Sequence, residues 1–203
     1  MLNIVIKTAL KTLLGVIIAL LVAFAIASLG FPASMATLFE NWGDYSTATG
    51  YASLNYSYTK KPDDLARCVQ DSIISKNDND IIKYGEQFIE LKEFDEVCAR
   101  KSEEYKLSFN QLVYGNLACA KYRQGYKETA LKYAKDGYAK VKEEGFIPGN
   151  AIAQLSVQVA EKSDKATAEK LLEEVNSVTF VGDGNAEYYE AVKSVLTKTV
   201  EKA

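Results

Sequence analysis

Apolar residues fill one uninterrupted stretch near the start of the chain. No residue between 13 and 31 is charged, and at about 1.5 Å per residue a helix of this length spans roughly 28 Å, close to the hydrocarbon core of a bilayer. The apolar residues occupy every side of that helix, whereas a surface helix would show a single apolar stripe. The pattern predicts a transmembrane signal anchor over residues 1–31 and a separate domain over residues 32–203.

A cleaved signal peptide is the alternative for this segment. Ser34-Met35-Ala36 has the small-x-small form of a processing site, but the apolar run is longer than the usual 7–15 residues of a signal peptide. We therefore favour the anchor. Lys7 and Lys11 are the only charges before the run, so the N-terminus is predicted to stay in the cytoplasm. The C-terminal domain of this single-pass protein would then be extracytoplasmic, on the periplasmic or cell-surface side.

After residue 31, apolar residues recur at helical spacing, for example at Leu65, Val69 and Ile73. The three prolines each stand where a helix begins, which suits a residue that is accepted in the first turn. The pattern predicts an all-α domain with helices near 32–41, 46–58, 63–75, 79–91, 94–104, 108–123, 127–142, 149–162, 165–176 and 185–201. The β-favouring run 178–181 is expected to cover a helix pair. Residues 182–185 are expected to form a turn, with Asn185 capping the last helix.

A turn-and-helix segment recurs along the domain. It is present as GDYSTATGY over 43–51, NDNDIIKY over 77–84, QGYKETALKY over 124–133 and SDKATAEKLL over 163–172. Ala48 and Ile82 are 34 residues apart, which is the period of the tetratricopeptide repeat. About 14 further residues separate the second and third units. Each segment resembles the start of the second helix in that repeat.

The third unit carries the resemblance best. Tyr114, Leu117 and Ala118 occupy the aromatic, leucine and small positions of the first helix, and Gly125 and Ala130 follow at the expected offsets. Gly137 departs from the pattern because alanine is usual at its position. The resemblance to the tetratricopeptide repeat (TPR) family implies a TPR-like α-α solenoid of antiparallel helix hairpins, closed by a C-terminal capping helix. The alternative is an unrelated antiparallel helical bundle.

The resemblance also implies a concave face lined by the first helix of each pair. A groove that binds a partner is expected on this face. By alignment the face receives Glu40, Asn41, Asp64, Arg67, Asp71, Gly115, Cys119, Tyr122, Arg123, Asn150 and Val157. Asn116 and Lys121 lie nearby but do not complete the set with which relatives hold a peptide carboxylate. The candidate groove residues are Arg67, Asp71, Asn116, Tyr122 and Arg123, since arginine and tyrosine are favoured interface anchors.

Charge and composition exclude several classes of function. The chain carries a net charge of −3 and its first 31 residues contribute +2, which leaves −5 for residues 32–203. That balance lacks the basic footprint of a nucleic-acid binder. The chain has no histidine and no Cys-x-x-Cys pair, so a metal site has few ligands. Catalytic residues, metal ligands and cofactor-binding residues are therefore all predicted to be absent. Cys68, Cys98 and Cys119 are expected to be small core residues.

The 13 tyrosines are expected to pack mainly between paired helices. A tyrosine-lined contact surface near Tyr51, Tyr56 and Tyr58 is the alternative. Trp42, the single tryptophan, is expected to pack inside the first helix pair, or else to lie in the membrane interface.

The prediction for function is a non-catalytic membrane-anchored adaptor. It would bind a protein or peptide partner at the membrane surface, in secretion, envelope assembly or cell division, and would contact the lipid bilayer through residues 13–31. A permanent structural subunit of a larger membrane complex is the alternative. An enzyme that uses carboxylates or Cys119 is a third hypothesis, which the absence of histidine makes unfavourable.

Overall fold

The computed structural model of the chain describes residues 2–178 and 185–202, and side chains from residue 6 onward. Within these ranges the secondary structure is helical throughout, with no strand. The helices are α1 (Leu2–Gly30), α2 (Pro32–Asn41), α3 (Tyr45–Thr59), α4 (Pro62–Ile74), α5 (Asp78–Ile89), α6 (Phe94–Tyr105), α7 (Phe109–Arg123), α8 (Lys127–Ala139), α9 (Ala151–Glu161), α10 (Lys165–Ser177) and α11 (Ala186–Lys202), with a short 3₁₀ helix at Lys142–Glu144. The all-α prediction is confirmed for these residues.

Most predicted helix limits agree with the structure to within one or two residues. The exception is the helix predicted to run to 142, because α8 ends at Ala139 and the chain continues into the 3₁₀ helix. The β-favouring run and most of the predicted turn fall on residues 179–184, outside the described ranges. Asn185 stands directly before α11.

The chain divides into two compact units, Met1–Asp71 and Ser72–Ala203, with the division inside α4. The first unit groups α1 with α2, α3 and most of α4. The domain boundary predicted between residues 31 and 32 remains a prediction.

In the first unit, α1 is a long apolar helix whose side chains are exposed. Its segment Ile6–Gly30 has a mean hydropathy of 2.7, is long and apolar enough to cross a membrane, and buries none of its most apolar stretch. Only Phe31 separates α1 from α2. The Phe31 amide donates to the Ala27 carbonyl, and the Phe31 carbonyl accepts from the Met35 amide. No flexible stalk therefore follows α1.

The hairpin of α2 and α3 packs through small residues. Met35, Ala36, Ala48 and Ala52 are buried between the two helices. The Asp44 carboxylate caps α3 by accepting from the Thr47 amide at 3.1 Å. Such small side chains let two helices approach closely.

In the second unit, α7 is the central helix. It packs against α5, α6, α8 and α9, and ten of its fifteen residues are buried. Phe88, Phe94 and Phe109 contact one another edge to face on one side of the core. On the other side, Phe146 contacts Tyr138, Tyr188 and Tyr189, which ties the chain after α8 to α11. The unit thus has a continuous aromatic and aliphatic core.

The aromatic expectations have mixed outcomes. Tyr114 and Tyr122 are buried, as expected for tyrosines between helices, whereas Tyr58 and Tyr126 are more than half exposed. Trp42 does not pack inside the first helix pair, because 68% of its surface is exposed. Its position at the end of α2 turns the indole outward, so the first expectation for Trp42 was wrong.

Candidate functional site

Arg67, the first candidate groove residue, binds α4 to α2 within the first unit. Its Nε donates to Glu40 at 2.6 Å, and its terminal nitrogens donate to the Thr37 hydroxyl at 2.7 Å and the Ala33 carbonyl at 3.4 Å. The guanidinium is therefore occupied by partners on α2. Its place on the predicted face is correct for contact with α2, but it is not an open anchor.

Asp71 lies one turn after Arg67 and is almost wholly buried, with 2% of its surface exposed. Its Oδ2 is the only buried side-chain nitrogen or oxygen in the described part of the chain that lacks a hydrogen-bond partner. Burial raises the pKa of Asp71 to about 7, and the negative charge of Glu40 adds to the shift while Arg67 opposes it. The first unit thus contains a carboxyl group that is poorly stabilised when ionised.

We expect Asp71→Asn to stabilise the protein at pH 8. The folded protein holds the Asp71 proton up to about pH 7, whereas the unfolded chain releases it near pH 3.8. The free energy of unfolding is therefore highest below that lower value and falls as the pH rises towards 7. Asparagine stays neutral and removes this fall, which is worth about 1–3 kcal/mol at pH 8.

Thermal unfolding of the full chain in mild detergent at pH 4 and pH 8 tests this expectation. At pH 4 the Asp71 carboxyl is largely protonated in both states, so the variant and the parent should unfold at similar temperatures. At pH 8 the variant should unfold at the higher temperature. An equal pH dependence in both proteins would contradict the assignment.

Tyr122 and Arg123 end α7 in the second unit, and each is paired with a distant acid. The Tyr122 hydroxyl donates to Asp164 at 3.0 Å. Arg123 donates through Nε and a terminal nitrogen to both carboxylate oxygens of Asp78, and through its other terminal nitrogen to Gln158 at 3.2 Å. These contacts join α7 to α5, α9 and the start of α10.

A depression of about 420 Å³ lies beside these two residues. It is lined by Tyr122, Arg123, Gly125, Lys127, Lys162 and Asp164. Asp164 also caps α10, accepts from Thr167 at 2.7 Å and pairs with Lys127 at 2.7 Å. Burial and the bond to Asp164 raise the pKa of the Tyr122 hydroxyl. Its polar groups are largely satisfied by one another, so the depression is a cross-linked corner between helices.

Asn116, the remaining candidate, faces α9. Its amide donates to the Leu112 carbonyl at 2.8 Å and lies 3.5 Å from the Gln154 side-chain oxygen. Lys121, its companion in the expected carboxylate-binding set, pairs with Glu86 at 2.8 Å. Both residues therefore contribute to packing between helices.

The five candidates fall into two sets. Arg67 and Asp71 belong to the first unit, and Asn116, Tyr122 and Arg123 belong to the second. Among the other residues assigned to the concave face, Gly115, Cys119 and Asn150 are buried, while Val157 is 52% exposed. A side chain added at Gly115 would overlap the Gln154 amide. Packing against α9 therefore covers this part of α7.

The largest groove lies elsewhere in the second unit, along α6. We call it the α6 groove; it has a volume of about 850 Å³. It is lined by Asp95, Cys98, Ala99, Ser102, Glu103, Lys106, Leu107, Ser108, Asn110, Lys140, Glu144, Ile147 and Pro148. Lys140 pairs with Asp95 at 2.8 Å across it. The residues inserted between the second and third repeats were the sequence signal for it, although site prediction followed the repeat pattern and missed the groove.

The three cysteines are buried thiols, and none forms a disulfide bond. Burial raises the pKa of each thiol to about 12. Each therefore carries its proton at neutral pH, which disfavours nucleophilic chemistry. No cluster of potential metal ligands occurs among the residues that the structure describes.

Comparisons with known protein families, with characterised proteins and with solved structures give no match to this chain.

Proposed function

We propose that this chain is a single-pass membrane protein whose helical-repeat domain binds a protein or peptide partner close to the bilayer, without catalysing a reaction. The exposed apolar surface of α1 carries the proposal. Its segment Ile6–Gly30 buries none of its most apolar stretch against the rest of the protein. So large an apolar surface is costly in water. At about 1.5 Å per residue, the segment is longer than the roughly 30 Å hydrocarbon core.

Retention of α1 in the mature protein is part of the proposal. Cleavage after Ala36 would remove half of α2, including Pro32 and Met35, which are buried in the hairpin. Lys7 and Lys11 favour a cytoplasmic N-terminus. The domain that follows would then face the extracytoplasmic side.

The order in which helices pack supports a TPR-like solenoid for the second unit. The helices α7 and α8 pack on each other and both contact α9, while α9 packs on α10. The last helix, α11, contacts both α9 and α10. In stacked hairpins each helix contacts its own partner and the next hairpin, and a terminal element covers the last one. An adaptor role fits this architecture because such stacks present extended surfaces.

We assign the partner site to the α6 groove. It has an apolar floor that includes Ala99, Ile147 and Leu107, the last of which is 43% exposed. Charges of both signs line it, including Glu103, Lys106 and Glu144. A groove with apolar contacts and mixed charges suits a peptide segment better than a uniformly charged ligand.

Site-specific cross-linking in native membranes tests the partner site. A photoreactive residue at Leu107 should give one discrete adduct, and the same residue at Val157, which is 52% exposed and outside the groove, should not. Ala99→Trp fills the groove and should abolish the Leu107 adduct. Adducts that are equal at both positions, or that persist with Ala99→Trp, would contradict the assignment.

The size of the chain in mild detergent separates an adaptor from a permanent subunit. A monodisperse monomer supports reversible partner binding. A stable larger assembly at every dilution would support the permanent subunit instead.

A further inference from the structure

A cluster of aromatic side chains begins at the last turn of α1. The Tyr51 hydroxyl and the Ser28 hydroxyl share a hydrogen bond of 3.0 Å. The Tyr51 ring stacks on Phe39 with centroids 5.4 Å apart and planes 10° apart. Phe39 in turn meets Trp42 edge to face, with centroids 5.5 Å apart. We call Phe39, Trp42 and Tyr51 the aromatic cluster; it runs from α1 to the end of α2.

The outer part of this cluster is uncovered. Trp42 is 68% exposed, and Phe31, at the junction of α1 and α2, is 64% exposed. Aromatic rings of this size favour burial strongly. Trp42 and Tyr51 also carry an N–H and an O–H group. Side chains with an apolar body and a polar group are enriched where hydrocarbon meets water in membranes.

We propose that the aromatic cluster lies in the headgroup layer of the bilayer and holds the α2–α3 hairpin against the membrane surface. The inference rests on the proposed membrane span. Its basis is continuity, because Tyr51 is bonded to a residue inside the apolar helix and Phe31 ends that helix. From Lys11 to Phe31 the helix rises about 30 Å, which places Phe31 at the edge of the hydrocarbon core.

The charges beside the cluster indicate which lipid chemistry it contacts. Glu40 is bound by Arg67, and the Asp44 carboxylate caps α3. No lysine or arginine occurs between residues 12 and 59. The cluster therefore lacks the basic residues that recognise anionic headgroups, and contact should form equally well with zwitterionic phosphatidylcholine.

Fluorescence of Trp42 tests the proposal directly, since it is the only tryptophan in the chain. The full chain is reconstituted in phosphatidylcholine vesicles that contain lipids spin-labelled either near the headgroup or deep in the acyl chain. We expect the shallow label to quench Trp42 about twofold more than the deep label, as for an interfacial indole. Emission at the wavelength of water-exposed tryptophan, with free quenching by acrylamide and none by either lipid, would overturn the proposal.

Two variants in a Trp42→Phe background serve as controls. Leu21→Trp places the probe within the apolar helix and should respond most to the deep label. Tyr126→Trp replaces a side chain that is 58% exposed in the second unit and should respond weakly to both labels. Equal quenching at positions 42 and 126 would overturn the proposal, because the signal would not be specific to the cluster.

The Leu21→Trp probe also distinguishes the two ways in which the proposal can fail. If that probe reports insertion while Trp42 remains in water, the interfacial contact is wrong and the membrane span stands. If the Leu21→Trp probe is not quenched by lipid, the proposed membrane span is wrong, and the interfacial contact fails with it.

Discussion

Replacing both Leu20 and Leu21 by arginine is expected to abolish membrane retention of the chain. Both leucines are more than 60% exposed on α1, near the middle of the apolar segment. Two central arginines in place of leucines change the free energy of insertion by about 6–8 kcal/mol, on scales that assign 2.5–3.5 kcal/mol to each arginine. The variant should move from the carbonate-resistant membrane fraction to the soluble or aggregated fraction.

The paired variant Leu20→Val, Leu21→Val keeps the apolar character and should remain in the membrane fraction. Protease added to intact cells or sealed vesicles then reports the side on which the domain lies. Carbonate-resistant retention of the arginine variant would show that α1 is not a membrane span. Digestion from the cytoplasmic side alone would reverse the proposed orientation.

Gly137→Ala is expected to destabilise the second unit, although alanine is a better helix former than glycine. A Cβ at Gly137 would lie 2.5 Å from the Tyr114 Cβ and 2.8 Å from the Ala151 Cβ. These atoms belong to packed helices and cannot rotate away. Overpacking of this kind costs about 1–3 kcal/mol and occasionally more, against a gain of about 1 kcal/mol in helix propensity.

The clash would also displace a buried hydrogen-bond network. Gln111 is 1% exposed; its amide donates to the Gly137 carbonyl at 2.6 Å, and its side-chain oxygen accepts from the Ala151 amide at 3.0 Å. Moving α8 away would leave these buried groups poorly paired, which adds about 1–3 kcal/mol. We therefore expect a net loss of about 2–4 kcal/mol, or roughly 5–12 °C in the midpoint of thermal unfolding.

The same substitution at Gly50 provides the matched control. Gly50 lies within α3, and a Cβ there would meet no atom within 4 Å. Gly50→Ala should therefore stabilise the protein by about 0.5–1 kcal/mol through helix propensity alone. Unfolding of both variants is followed by circular dichroism at 222 nm in the same detergent. A Gly137→Ala variant as stable as Gly50→Ala would show that the close approach of α8 to α7 is wrong.

Gly137 also illustrates where a repeat pattern stops being informative. The resemblance marks its position as one where alanine is usual, and nothing near it in the sequence explains the glycine. The explanation lies in Tyr114 and Ala151, which are 23 and 14 residues away and meet it only in the folded protein. The substitution and its neighbours form one packing arrangement.

The candidate site was less predictable than the helices for a similar reason. Arg123 reaches Asp78 across 45 residues, and Tyr122 reaches Asp164 across 42 residues. Sequence spacing places these side chains at a helix end, but it does not indicate which acid is within reach. Likewise, the insertion after the second repeat was visible in the sequence, but its contribution to the α6 groove depends on where residues 140–148 lie.

The sequence by itself determined the helices, their limits and the long apolar segment. These features depend on local causes: the spacing of apolar residues, prolines at helix starts, and capping residues such as Asp44 and Asp164. Tertiary structure alone decided that Arg67 and Arg123 are held by acids, that Asp71 is buried without a partner for Oδ2, and that Trp42 is exposed. Those outcomes depend on distances between side chains that are remote in the chain, and periodicity carries no information about such distances.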